Sequence, residues 1–564
     1  MTSRAIGARR PRHLLERLLD TPNLAQVVPS LEARVLTALV RHCGLEDCGE
    51  IVGLATAEQL VRVFDDDLWR GDEAGREDEF DAERFALWLE VLAESGVVAA
   101  AQKIVEMGLD FATAALSRHV LALDQETLLL GETLTAALDG YEPLENARAV
   151  LEANGLDHCL SADLGGYKVI AKSGEAWDAL LAVLIELEGE HRGFFDALMK
   201  RCGNLSTEYL DGNGGLFDVL SADDHVMEVI AGAREQRREQ EGYVTPSQAA
   251  AFLRLARQGH AGSIAGASTA DPMTRGYFRE LDATRGSAGA RTESAGSRLG
   301  PGEVQRSPDV QRDVSGFLSK LEAAGVVPSS RPPLLLAGKT DGSDRLAHIR
   351  SGLRFVEEHD PAAYARRSEE LAYLANVLVA GCSVDSRRFQ SAEAADAALA
   401  VCNLGLENWL RAPASGSAAR LPEDFLQGQD LVTVFRRGWG LLNERVSLHV
   451  ARRLAAIVSD LTCDDEEVQD DLTDLVRRLR RQLDNGTPWR ERESLDVIAI
   501  LDQPSWSILQ GLLDECPVVP KRFDPSAMPR PLRMAPGFEF ISENTQIDCV
   551  RDFLESLPAR LTEP

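Results

Sequence analysis

Two short clusters carry residue types that could do chemistry. Asp65-Asp66-Asp67, followed by Trp69, sets three carboxylates beside an indole. The run follows the end of the helix expected from Leu60, Val63 and Phe64, where the helix dipole disfavours acid. These carboxylates either cap the next segment, face an Arg cluster, or face a partner. Phe435-Arg436-Arg437-Gly438-Trp439 sets two guanidiniums against an indole inside a helical pattern. Guanidiniums grip carboxylates bidentately, so the cluster could line a binding groove. Gly438 and Gly440 flank Trp439, and each Gly costs about 1 kcal/mol in a helix relative to Ala. Their presence there reads as close approach of another backbone or a kink. Asp65, Asp66, Asp67, Trp69, Arg436, Arg437 and Trp439 are therefore the candidate binding residues. For each cluster the competing reading is structural, and no residue is assigned a catalytic role.

Other motifs fail on their chemistry. Pro333-Leu-Leu-Leu-Ala-Gly338-Lys339-Thr340 has P-loop spacing, but Pro333 replaces the first Gly and lacks an N–H for phosphate. Asp211-Gly-Asn213-Gly-Gly215 begins like a calcium loop, yet Ala222 stands where a bidentate Glu is needed. His42-Cys43 with Cys48, and His158-Cys159, fall short of the paired spacing of structural zinc sites. The chain contains no G-x-S-x-G and no H-E-x-x-H. No metal and no cofactor are expected. In the stretch from Asp464 to Arg481, acids come first and arginines last, which suits the dipole of a solvated helix.

The elements that must position these residues are mainly helices. Thr56-Ala-Glu-Gln59 has capping-box spacing. Phe85, Trp88, Leu89 and Leu92 fall at i, i+3, i+4 and i+7, and Gly96 stops that helix. Val98–Glu106 and Phe111–Leu123 read as two more helices, and Ala176–Met199 as another. Leu160-Ser-Ala-Asp-Leu-Gly-Gly-Tyr-Lys-Val-Ile-Ala171 reads as a small hairpin turning at its Gly pair. Thr245-Pro246 and Asp360-Pro361 are helix starts with Pro at N1. Leu431–Leu461 carries one long apolar stripe, and Val468, Leu472, Val476, Leu479 and Leu483 another. Pro517–Pro536 reads as extended, Phe538–Ile541 as a short strand, and Thr545–Leu557 as the last helix.

The expected fold is mainly α, with stacked helical hairpins in the N- and C-terminal parts and a small central α+β element. The expected segments are an N-terminal arm (1–29), a helical stack (30–150), the α+β element (151–258), a flexible linker or insertion (259–312) and a C-terminal helical domain (313–564). A smaller linker is expected at Ala412–Ala418.

Composition narrows the function classes. The chain has 564 residues, with 60 Lys plus Arg against 90 Asp plus Glu, a net charge of −30. That charge argues against a generic nucleic-acid binder, which needs a basic face to release counterions from phosphate. Nine scattered Cys with no C-x-x-C read as reduced thiols. The start lacks an apolar signal region, and the longest uncharged apolar stretch, Leu371–Val384, is 14 residues, too short to span a bilayer. A cytoplasmic location without membrane insertion is expected.

The stretches ATAEQLVRVFDDDLWRGD (Ala55–Asp72) and FDAERFALWLEVLAESG (Phe80–Gly96) resemble a bacterial family of unknown function, domain-of-unknown-function family 6178. ELAYLANVLVAG (Glu370–Gly381), DLVTVFRRGWGLLN (Asp430–Asn443) and ECPVVP (Glu515–Pro520) are similar to it as well. The N-terminal part is loosely similar to the helical superhelix domain of magnesium transporters. The family resemblance implies no catalytic residues. The functional expectation is a non-catalytic protein-interaction protein, a scaffold or adaptor with a protein partner. The alternatives are an enzyme with a carboxylate and Arg site in a cleft, and a ligand-sensing regulator.

Overall fold

A computed structural model describes residues 11–71, 74–125, 159–211, 222–240, 242–258, 308–327, 345–384, 387–411, 422–461, 466–485, 503–521, 523 and 537–560. The P-loop-like stretch, the calcium-loop-like glycines, the linker at Ala412–Ala418 and most of 259–312 lie outside these residues. The fold is mainly α, with only two- and three-stranded sheets among the described residues.

The chain divides into two units. The first comprises residues within 1–70, 78–236 and 297–333. Its longer helices include α1 (Pro11–Leu19), α2 (Ala33–Cys43), α3 (Ala57–Asp67), α4 (Ala82–Ser95), α5 (Val97–Met107) and α6 (Leu109–Ser117). Next come α7 (Trp177–Glu190), α8 (Arg192–Asp211) and α9 (Ala222–Gln240), whose residues to 236 belong here. The capping box of α3 forms as expected. Gln59 N donates to Thr56 Oγ1 at 3.2 Å, and Thr56 N donates to Gln59 Oε1 at 2.9 Å. Gln59 Nε2 also donates to the carbonyls of Val28 and Leu31, tying the cap to the preceding turn. Phe64, Phe85 and Trp88 meet edge to face in the core, and Phe111 stacks on Phe64.

Strands β1 (Trp69–Arg70) and β2 (Glu79–Phe80) pair antiparallel just after α3. The three-stranded sheet has order β3 (Val120–Asp124), β5 (Tyr167–Ala171), β4 (Ser161–Leu164). The expected hairpin is β4–β5. Gly165 and Gly166 take φ of +57° and +91°, the two left-handed residues that a tight hairpin turn requires.

Strand β3 corrects the expectation of a helix over Phe111–Leu123. The helix stops at Ser117, and Val120 to Leu123 are all buried while pairing with β5. A fully apolar run of that length fits a helix or a doubly covered strand, and only its distant partner decides. Ala176–Met199 likewise divides, between α7 and α8 at His191. Helix α11 (Pro308–Ala324) starts inside the expected linker and belongs to this first unit. Its Phe317 and Leu321 join the core, and Lys320 Nζ donates to Arg17 O and Thr21 Oγ1.

The second unit comprises residues within 71–77, 237–296 and 334–564. It contains α10 (Pro246–Gln258), α12 (Ala347–His359), α13 (Pro361–Gly381), α14 (Ser391–Arg411), α15 (Pro422–Gly428) and α16 (Leu431–Leu442). Then follow α17 (Leu448–Ser459), α18 (Glu466–Asn485), α19 (Gln503–Leu513) and α20 (Asn544–Ser556). Asp360 caps α13 through Ala363 N, with Pro361 at N1, as its sequence requires. Two antiparallel pairs complete the unit, β6 (Ser383–Val384) with β7 (Arg387–Arg388) and β8 (Val518–Pro520) with β9 (Phe538–Phe540).

The long stripe from Leu431 is two α-helices joined by a π-helical turn at Asn443–Ser447. The wider turn rotates the later side chains, so Val446, Val450 and Leu454 stay buried with Trp439 and Leu442. Helices α14 and α16 cross at two glycines. A Cβ on Gly438 would lie 2.0 Å from Val401 O, and one on Gly405 would lie 2.1 Å from Val434 O. The close approach expected at Gly438 is therefore real, and Gly405 is its counterpart four residues after Val401.

Candidate functional site

The acidic run lies in the first unit. Helix α3 continues through Asp67, so the three acids form its last turn. Two guanidiniums offset their clash with the dipole by bonding the terminal carbonyls. Arg41 Nη2 donates to Asp66 O at 3.2 Å, and Arg234 Nε donates to Asp65 O at 2.8 Å. Arg234 reaches in from α9. Its Nη2 donates to Asp78 Oδ2 at 2.8 Å, and both side chains are 5% exposed. Its Cζ sits 4.8 Å above the Trp69 ring, which in turn meets Phe80 edge to face across β1–β2. Asp67 Oδ2 accepts from Arg84 Nε at 2.8 Å and from Trp88 Nε1 at 2.7 Å. Asp65, Asp66, Asp67 and Trp69 thus come together around Arg234, Asp78 and Arg84, which sequence reasoning did not single out. Arg234 stands 169 residues from Asp65, and no local pattern reports such a partner.

Buried His119 stacks at 6.2 Å on Phe85 in this unit. Burial pushes its pKa down, a shift that its bond to the Ala82 backbone opposes. The imidazole is therefore neutral at pH 7.

The Arg436, Arg437 and Trp439 cluster lies in the second unit. Arg436 Cζ stands 4.9 Å over the Phe252 ring. Arg437 Nε donates to Asn408 Oδ1 at 2.8 Å, and its Cζ lies 5.2 Å over Trp409. Burial lowers the pKa of both guanidiniums from their ordinary value. Trp439 is 2% exposed and stacks on Phe435 at 5.6 Å. Arg257 crosses its ring at 5.9 Å and donates to Glu515 Oε1 at 2.6 Å. Glu515 Oε2 accepts from Ser383 N, next to the buried thiol of Cys382. Burial holds the thiols of Cys382 and Cys516 well above the ordinary cysteine range, so neither is a thiolate at neutral pH.

A third arrangement lies at the Arg-rich end of α18, which in sequence reads as a solvated face. Between α17 and α18 runs an open groove of about 640 Å³. Leu472, Val476 and Val458 form its apolar floor, and all three are buried. Arg477, Arg480 and Arg481 rise along one side with Asp484, at i, i+3, i+4 and i+7 on one helical face. Arg477 pairs with Asp474 one turn back, and Arg480 Nη2 touches Ser459 Oγ at 3.5 Å. Arg481 is exposed and makes no ion pair among the described residues. The sequence carried the signal in its overlaid apolar and Arg periods, but only the neighbouring α17 turns that face into a groove.

Among the described residues, no group of three or more His, Cys, Asp and Glu is placed to hold a metal ion. No helix among them is long and apolar enough to cross a membrane.

Residues 2–200 match the model of a family of unknown function (DUF6178). The match takes in the two N-terminal stretches that carry the resemblance and ends before the three later ones. No curated protein and no solved structure matches the chain, so the likeness to magnesium transporters finds no support there.

Proposed function

We propose that this chain is a non-catalytic protein-interaction protein of scaffold or adaptor type. The observation that carries the reading is the α17–α18 groove. It sets the half-buried Leu461 beside a row of exposed guanidiniums over a packed apolar floor, a mixture of apolar and polar surface that protein partners use. The two clusters that sequence reasoning singled out support the same reading from the other side. Asp67 is engaged by Arg84 and Trp88, Arg234 by Asp65 and Asp78, and Arg437 by Asn408. Groups held this way order helix ends and helix contacts instead of waiting for substrate.

The test is quantitative affinity capture with the full chain from its native cells. Wild type is compared with a variant bearing Arg477→Glu, Arg480→Glu and Arg481→Glu. A protein enriched by the wild type is the expected result. Enrichment of a small metabolite with no protein above background would overturn the reading.

A further inference from the structure

We infer that the α17–α18 groove takes an acidic segment with an apolar face from a partner protein. The carboxylates of that segment meet Arg477, Arg480 and Arg481, and its apolar side chains meet the half-buried Leu461 and the arginines' aliphatic stems. The inference rests on the proposed interaction role and names the chemistry of the partner.

Charge complementarity carries it. The groove lining sets Arg477, Arg480 and Arg481 beside Asp484; Asp474 pairs with Arg477, and the exposed Arg480 and Arg481 leave a locally basic strip on a chain whose net charge is −30. Within the groove such a strip favours acidic ligands over basic ones. The global charge does not forbid the approach, because about 8 Å of physiological salt screens exposed charges from one another. Within the groove the ligand is closer than that to all three arginines. Their spacing on one face of α18 matches carboxylates repeated along one face of a second helix. The groove adds an anchor that a free anion could not use. Leu472, Val476 and Val458 already pack into the core at its base, so the anchor is the half-buried Leu461 with the aliphatic stems of the arginines, which a ligand bearing charge alone would leave in water.

The experiment uses the full chain and three fluorescein-labelled synthetic peptides, read by anisotropy. The first repeats glutamate and leucine at helical spacing. The second replaces each glutamate with lysine, and the third replaces each leucine with serine. Saturable binding of the first peptide is expected, with no binding of the second and weaker binding of the third. Three exposed charge pairs together are worth about three-fold to about 150-fold in Kd. Arg477→Glu with Arg480→Glu and Arg481→Glu should therefore weaken the first peptide by at least the lower of these factors. A milder second variant, Thr473→Glu, places one acid at the exposed edge of the groove and should weaken it several-fold. An unchanged thermal melt for Thr473→Glu shows that its loss is not a loss of folding. No binding of the first peptide, equal binding of the lysine peptide, or unchanged affinity in both variants overturns the inference. So does Arg-dependent sedimentation with phosphatidylserine vesicles in place of peptide binding. If lysate capture still returns a protein partner that the Arg variants retain, the interaction role stands and the groove assignment falls.

Discussion

Gly438→Ala is the substitution whose consequence follows most directly from the packing. The new Cβ would meet Val401 O at 2.0 Å, Val401 C at 2.9 Å and Val401 Cγ1 at 3.0 Å. Real Cβ atoms essentially never come within 3.0 Å, so α14 and α16 must part by about 1 Å. The first two obstacles are backbone atoms of a buried helix and cannot swing aside as a long side chain would. Overpacking a well-filled core costs about 1–3 kcal/mol, and a backbone clash belongs at the upper end. Replacing Gly in a helix interior returns about 1 kcal/mol of helix propensity. The net loss is then about 2 kcal/mol, or a fall of about 4–8 °C in Tm for a unit of this size. Gly316→Ala is the matched control. Gly316 lies inside α11 with nothing within 4 Å of its would-be Cβ, so Ala there should stabilise the first unit by about 0.4–1 kcal/mol. Calorimetry of the full chain reads both changes, and hydrogen exchange in α14 and α16 assigns the loss to the second unit. The double variant Gly405→Ala with Gly438→Ala should cost less than the two single losses added, since one helix separation relieves both clashes. If Gly438→Ala melts at or above wild type, the close crossing is not part of the folded protein.

Three further outcomes follow. Arg234→Ala removes the buried guanidinium that donates to the 5%-exposed Asp78 carboxylate and should cost about 3–5 kcal/mol in urea unfolding; a loss under about 1 kcal/mol would contradict the buried pair. Glu393 accepts two bonds from Arg387, at 2.7 and 2.8 Å, and this pairing holds its pKa below the ordinary 4.5. A depressed carboxylate adds stability above its unfolded value and loses it as pH falls through its folded value, so Glu393→Gln should flatten the pH dependence of stability below about pH 4.5 and leave it unaltered at neutral pH. Burial pushes the Cys48 thiol up to about 12, and Cys43 beside it is raised as well, so mass-spectrometric mapping should find both unreacted with an aromatic disulfide reagent at pH 8 until the chain is unfolded.

Local rules made much of the fold legible. Thr56 with Gln59, Asp360 with Pro361, and Gly165 with Gly166 each act within four residues of themselves, and each does what its chemistry requires. Gly438 was legible as a close approach because its cost in a helix demands a return. What stayed hidden depends on partners far along the chain. The run from Val120 becomes a strand because Tyr167–Ala171 pairs with it. The division at His191 and the π-helical turn at Asn443 are settled by what the flanking helices pack against, and the apolar period runs through both. The acids at Asp65–Asp67 looked misplaced because Arg234 and Arg41, which answer them, lie outside any local window. The groove was invisible for the same reason: Arg477, Arg480 and Arg481 read as solvated charge until α17 supplies the opposite wall.

Binding of a partner along α17 and α18 can be read directly by one measurement. Hydrogen exchange of the full chain is followed by mass spectrometry, with and without the protein captured from native cells. Slowed exchange is expected to concentrate in peptides covering Val458–Leu461 and Gln469–Asp484, and to be lost when Arg477, Arg480 and Arg481 are reversed to Glu. Protection confined to other helices, with Val458–Leu461 and Gln469–Asp484 exchanging as in the free chain, would contradict it.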